Sequence, residues 1–144
     1  MWIQLTGPNG KINICIAYGL HESRCTKEEI EDWHFNIEQK IGEYDTHPVL
    51  LIGDMNAHIG NDDKGVSGNY PEINQNGSHL RNMIDRRQLV LINNTKICHG
   101  KYTRVDPTGK QSILDLIIAN NQMFNLMKSV NIDEKRVYTL TREN

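Results

Sequence analysis

Two side chains near the middle of the chain, Asp54 and Asn56, have types and spacing that can do chemistry. They close the run Val49-Leu50-Leu51-Ile52-Gly53-Asp54-Met55-Asn56. On an extended strand, residues two apart point to one face, roughly 6.5–7 Å from each other. That is wide for gripping one small ion, but it suits a carboxylate and a carboxamide on either side of a phosphate. Asp can take a proton or hold a hard cation, and Asn can donate to a phosphate oxygen without adding negative charge. The same two residues also suit a plain turn at a strand end. Three further positions carry comparable alternatives. Tyr18 closes an alternating stretch, where its phenol either reaches a ligand or packs against the core. Asp115 sits among Ile113, Leu114, Leu116 and Ile117, so its carboxylate must be paired, either structurally or as a second catalytic acid. His58 is either a base near Asp54 or an ordinary loop histidine.

Those residues need strands to hold them. Val49–Ile52 is apolar enough for a strand buried on both faces, with Gly53 allowing close backbone approach. Trp2–Leu5 and Lys11–Tyr18 are expected to form two strands around the turn Gly7-Pro8-Asn9-Gly10, with Ile12, Ile14 and Ile16 alternating against Asn13, Cys15 and Ala17. A helix is expected from a Thr26–Glu29 capping box to a C-cap at Gly42, with Ile30, Trp33, Ile37 and Ile41 as its apolar stripe and His34 at the stripe's boundary. Residues 57–75 read as a long surface loop. A second helix is expected from Ser78 as N-cap, followed by strands over 89–93, 101–105 and 112–119. In the last of these, Ile113, Asp115 and Ile117 should share one face. The segment Met127–Leu140 reads as one or two strands. Asp62 and Asp63 lack the further oxygen ligands of a calcium loop. Gly109-Lys110 echoes a phosphate loop but has Arg104 where the first glycine is needed.

The 144 residues carry a net charge of −2, with 38% hydrophobic and 24% charged residues, which suits one folded domain or part of one. No basic excess announces a passive nucleic-acid binder. Three scattered cysteines, an odd number, argue against a disulfide framework. No signal-peptide pattern and no apolar run of membrane-spanning length is present, so an intracellular protein, nuclear or cytoplasmic and not membrane-bound, is expected.

Taken in order, Ile14–Tyr18, Leu51–His58, Asn76–Leu80 and Ser112–Asp115 resemble the motifs of the endonuclease/exonuclease/phosphatase superfamily. Its fold is that of deoxyribonuclease I and the apurinic endonucleases. Asn-Ala-His after the Gly-Asp-Met-Asn run, Asn93-Asn94-Thr95, and Thr103 look most like the endonuclease domain of non-long-terminal-repeat retrotransposons. The resemblance implies an α/β class, as part of a two-sheet α/β sandwich flanked by helices, with residues 1–144 as a single partial domain. It implies metal-assisted phosphodiester hydrolysis with Mg²⁺ or Mn²⁺, acting on the DNA phosphate backbone to nick DNA for reverse transcription. A phosphatase or deadenylase of the same superfamily, or a catalytically dead binding remnant, are the alternatives. In the leading reading Asp54 holds the metal and deprotonates the attacking water. Asn56 hydrogen-bonds the scissile phosphate, Tyr18 positions it, Asp115 pairs with a catalytic His, and His58 and Ser112 touch substrate. A reverse transcriptase domain would follow downstream. The family's opening Asn and Glu strands and its closing Asp-His pair have no match here. The chain is therefore expected to be truncated at both ends, to expose an open sheet edge, and to nick DNA poorly by itself.

Overall fold

The computed structural model describes residues 1–61, 72–105, 107–109 and 111–134. Its centre is a mixed sheet with strand order β1-β2-β3-β8-β4, built from β1 (Trp2–Gly7), β2 (Gly10–Tyr18), β3 (Val49–Asp54), β8 (Asp115–Ala119) and β4 (Val90–Leu91). The hairpin β1–β2 turns through Pro8 and Asn9, between paired Gly7 and Gly10. The connection from β2 to β3 returns parallel, and so requires a crossover helix. That helix is α1 (Lys27–Glu43), opened by the Thr26–Glu29 capping box as expected. It continues past Gly42 to a C-cap at Tyr44, with the Tyr44 and Asp45 amides closing on the carbonyls of Ile41 and Gly42.

The second helix, α2 (Gln75–Arg87), begins earlier than Ser78: Asn74 is the N-cap, its side chain accepting from the Gly77 amide. As N-cap, Asn74 accepts the N3 amide of Gly77, so the free amides at the helix start are met about one turn before Ser78 could meet any. The strand expected over 89–93 is only β4, because Ile92–Asn94 turns into one 3₁₀ turn. Two short pairs complete the fold: β5 (Cys98–His99) with β9 (Val130–Asn131), and β6 (Arg104–Val105) with β7 (Gln111–Ser112). A short helix, α3 (Asn121–Leu126), follows β8. The Asp62–Asp63 pair and residues 135–140 of the expected Met127–Leu140 strand segment lie outside the described residues.

The main core lies between α1, α2 and one sheet face, where Cys15, Ala17, Val49, Leu51, Leu116 and Ile118 meet Ile41, Leu80 and Met83. The period of two in β2 is present, but its deeply buried face carries Asn13, Cys15 and Ala17; Ile12 and Ile14 are half-buried and Ile16 is exposed. Alternation marks two faces without saying which one the helices cover, and the smaller side chains let α1 and α2 approach closely. On the other face a smaller cluster, Ile92, Ile117 and Ala119, packs with Leu50, Ile52, Phe124 and Val130, so β9 and α3 start a second layer there. This two-faced α/β arrangement agrees with the expected sandwich class.

Among the described residues β1 has a neighbour on one side only, and Ile3 and Leu5 on it, with Ile16 on adjoining β2, are exposed. An unprotected apolar edge pairs with other chains. Light scattering is expected to show association that grows with concentration and that Leu5→Lys suppresses; a monomer at every concentration would contradict this.

No helix among the described residues is long and apolar enough to cross a membrane.

Candidate active site

Register brings three of the expected residues to one rung of the sheet. Tyr18 pairs with Asp54 across the parallel β2–β3 ladder, and Asp54 pairs with Asp115 across the antiparallel β3–β8 ladder. Directly opposed residues in an antiparallel pair hold their Cβ atoms about 4.5–5.5 Å apart. Asp54 and Asp115 are both half-buried, whereas Tyr18 is 71% exposed, leaving its phenol open to a ligand. Among the described residues no ion pair engages either carboxylate. Two such neighbours repel unless a cation or a shared proton lies between them.

The end of β3 is shaped by two glycines. Gly53 has φ +140, and a Cβ there would overlap the Ala17 carbonyl oxygen on β2. Gly19 lies equally close to the Met55 carbonyl and donates its amide to the Asp54 carbonyl at 2.7 Å. Close backbone approach at these points lets the strand stop at Asp54 and turn.

That turn corrects one expectation. Asn56 does not continue the strand: its φ is +46, its amide donates to Asp54 Oδ1 at 2.9 Å, and its side-chain Nδ2 donates to the Gly19 carbonyl at 2.7 Å. An aspartate at a strand end readily captures the amide two residues on, and Asn tolerates the left-handed conformation that results. The carboxamide is thereby aimed at the loop after β2, not held level with Asp54.

Asp115 also differs from expectation. The stretch from Ser112 to Ala119 is not one strand, because Thr103 Oγ1 accepts the amides of Leu114 (2.8 Å) and Asp115 (3.1 Å) and breaks it between β7 and β8. The break puts Ile113 in the main core with Leu116 and Ile118, not on the face of Asp115 and Ile117. It also leaves Asp115 half-buried rather than enclosed by apolar neighbours. Asn93 grips the same strand, donating to the Asp115 carbonyl at 3.2 Å and accepting the Ile117 amide at 2.7 Å. Asn93 and Thr103 are thus positioning residues for Asp115, and their signal in the sequence is a polar side chain directly after, or shortly before, an apolar strand. Ser112 sits in β7 opposite Arg104, off the Tyr18–Asp54–Asp115 rung.

His58 lines a separate cleft beside Asn56, with His21, Glu22, Ser23 and Asn74. Asn74 builds its floor: Oδ1 accepts the amides of His58 and Gly77, each at 2.8 Å, while Nδ2 donates to the Asn56 carbonyl at 3.0 Å. Asn76 locks the wall. Its Nδ2 donates to the Leu20 carbonyl at 2.8 Å, and its own amide donates to Glu22 Oε1 at 2.8 Å.

The remaining atom of that carboxamide, Asn76 Oδ1, meets His34 Nε2 at 3.0 Å. His34 is no boundary residue: it is 4% exposed, between Trp33 and a stacked His79. Because the Leu20 carbonyl can only accept, the amide orientation is settled, and Nε2 must donate to Oδ1. Burial pushes the His34 pKa down to about 4, the hydrogen bond to Asn76 opposing and the neighbouring His79 adding to the fall. The unfolded chain takes up this proton near its ordinary value and the folded chain only near 4. Stability is therefore undiminished above roughly pH 6.5 and falls as pH drops from there to about 4, by roughly 3 kcal/mol in all. Urea unfolding across that window is expected to show this slope, and His34→Gln to flatten it; an equal slope in the variant would contradict the assignment.

The donor chemistry of the rung suits a hard divalent cation, since Mg²⁺ is commonly held by one or two carboxylates, with waters and substrate phosphate completing its shell. Among the described residues no group of three His, Cys, Asp or Glu side chains is placed to hold a metal; the rung brings together the two carboxylates of Asp54 and Asp115.

A family model described as endonuclease-reverse transcriptase matches residues 12–137, from β2 to beyond β9. No curated protein matches the chain.

Proposed function

Because the chain belongs to the endonuclease-reverse transcriptase family, we propose that the rung Tyr18–Asp54–Asp115 is the phosphodiester-cleaving site of a DNA-nicking endonuclease. The observation that carries this reading is the meeting of two carboxylates, neither in an ion pair among the described residues, and an exposed phenol on three adjacent strands. Asp54 would hold Mg²⁺ or Mn²⁺, which supplies charge neutralisation at the phosphate. The Asp54 carboxylate takes the proton of the attacking water, while its other oxygen keeps the Asn56 amide. Tyr18 donates its phenol O–H to a phosphate oxygen. Asn56 retains one amide hydrogen beyond its bond to Gly19 for the same purpose. Asp115, held by Asn93 and Thr103, matches the aspartate that the family resemblance pairs with a catalytic imidazole, a partner for which this sequence shows no match. DNA is the partner through its phosphate backbone, and the nick primes reverse transcription by a domain of the same polyprotein.

A comparison of substrates tests this. With Mg²⁺ or Mn²⁺ and the chain in excess, supercoiled plasmid is expected to be nicked, slowly, while poly(A) RNA and a small phosphomonoester stay intact. Turnover of either of the latter without nicking would replace this reading by a deadenylase or phosphatase. No turnover of any substrate would favour a binding remnant.

A further inference from the structure

Two loops border the rung, residues 19–22 after β2 and residues 55–58 after β3, and the start of α2 holds both. Asn74 takes the second loop: its Oδ1 accepts the His58 amide at 2.8 Å and its Nδ2 donates to the Asn56 carbonyl at 3.0 Å. Asn76 takes the first, through the Leu20 carbonyl and the Glu22 carboxylate. The same turn lies hard against the second loop, since a Cβ on Gly77 would overlap the His58 carbonyl oxygen. At the rung the loops are tied to each other. Asn56 Nδ2 donates to the Gly19 carbonyl, and the Gly19 amide donates to the Asp54 carbonyl. Moving this one helical turn therefore moves the residue after Tyr18, the Asp54 backbone and Asn56 together.

Behind the turn stands His34 of α1. Its Nε2 donates to Asn76 Oδ1, and among the described residues its Nδ1 has no hydrogen-bond partner. Packing alone does not call for such a ring, because an apolar side chain there would avoid burying an unsatisfied nitrogen. The bond fixes the Asn76 carboxamide and so turns its Nδ2 towards Leu20. The other polar link between the two helices, Arg86 and Arg87 on Glu38, is at the opposite end of α2 and cannot orient Asn76.

We propose that His34 is a positioning residue for the rung: by holding Asn76 it fixes the first turn of α2, and with it the loops that place Tyr18, Asp54 and Asn56. Its effect on cleavage rests on the reading of the rung as a nicking site; its effect on the loops does not.

Amide hydrogen exchange of the full chain, read by NMR at Gly19, Asn56 and His58, tests it, with single-turnover nicking measured on the same proteins. His34→Phe keeps an aromatic ring and loses the donor, and exchange at these amides is expected to quicken about tenfold, the scale of one lost hydrogen bond. His34→Gln, whose terminal amide can donate to Asn76, should restore the wild-type rates. Ile41→Val, a core change away from Asn76, lowers global stability but should leave the three rates alone, because such amides open locally. Wild-type exchange in His34→Phe, or equal quickening in Ile41→Val, would overturn the proposal. Should His34→Phe fail to fold, the double variant His34→Phe/Asn76→Leu, which removes donor and acceptor together, carries the same expectation and the same refutation. In nicking, His34→Phe should lower the rate at saturating DNA by about 10–10²-fold, the cost of a small misplacement, with DNA affinity unchanged. In an Asn56→Ala background it should lower the rate no further. An unchanged nicking rate would overturn the proposal, whereas no nicking by the wild type would remove the reading of the rung and leave the positioning to be decided by exchange.

Discussion

Asp54→Ala is expected to lower single-turnover nicking of supercoiled plasmid by about 10²–10³-fold, the usual loss when one preorganised electrostatic contact to the reacting group is removed. Two effects combine in that substitution. The hard donor that would hold the cation is lost, and so is the proton acceptor for the attacking water. The turn after β3 is weakened as well, because the Asn56 amide gives up its partner at 2.9 Å. Asp54→Asn separates these contributions. Its carboxamide oxygen can still accept from Asn56, so the turn and the Asn56–Gly19 bond persist, yet nicking should fall nearly as far as in the alanine variant. Tyr18→Phe, which removes one exposed donor and no packing, should cost less, about tenfold. Nicking by Asp54→Asn at the wild-type rate would mean that the carboxylate is a structural cap and nothing more.

Asn76→Ala is expected to be the most damaging substitution for the fold near the site, costing roughly 2–5 kcal/mol. The side chain is fully buried and serves two partners, the half-buried Leu20 carbonyl and the buried His34 Nε2. Leaving each unpaired costs about 1–3 kcal/mol, and the sum need not be additive because both belong to one network. For a domain of this size that loss lowers the melting temperature by roughly 5–15 °C. The conservative test is the double variant His34→Phe/Asn76→Leu, which removes donor and acceptor together and should recover part of the stability. Urea unfolding of Asn76→Ala within about 0.5 kcal/mol of wild type, the range of an ordinary surface change, would refute the role.

Much of this geometry was legible in the residues. The Thr26–Glu29 box started α1 where expected, and Val49–Asp54 formed the central strand. The apolar run Val49–Ile52 placed Asp54 at a strand's end, whereas Asp115 was expected inside a strand; that it opens β8 and pairs with Asp54 emerges only from the fold. The resemblance to the superfamily agrees with the family match across β2, α1, β3, α2 and β8.

The parts that escaped share a physical cause: a polar side chain competing with the regular backbone. Asp54 captured the Asn56 amide and ended the strand two residues early. Thr103 captured two amides and split the stretch before Asp115. Asn74 outcompeted Ser78 as the cap of α2. His34 was the hardest case, since a histidine beside an apolar stripe becomes a buried donor only if another element brings it an acceptor, and Asn76 is 42 residues away.

Mn²⁺ titration followed by amide line broadening in ¹H–¹⁵N spectra tests the central claim, that the Tyr18–Asp54–Asp115 rung is a divalent-cation and phosphate site. The account predicts that the amides of Tyr18, Asp54 and Asp115 broaden first and together, and that Asp54→Ala abolishes the effect. Broadening centred elsewhere, or unchanged by Asp54→Ala, would contradict it.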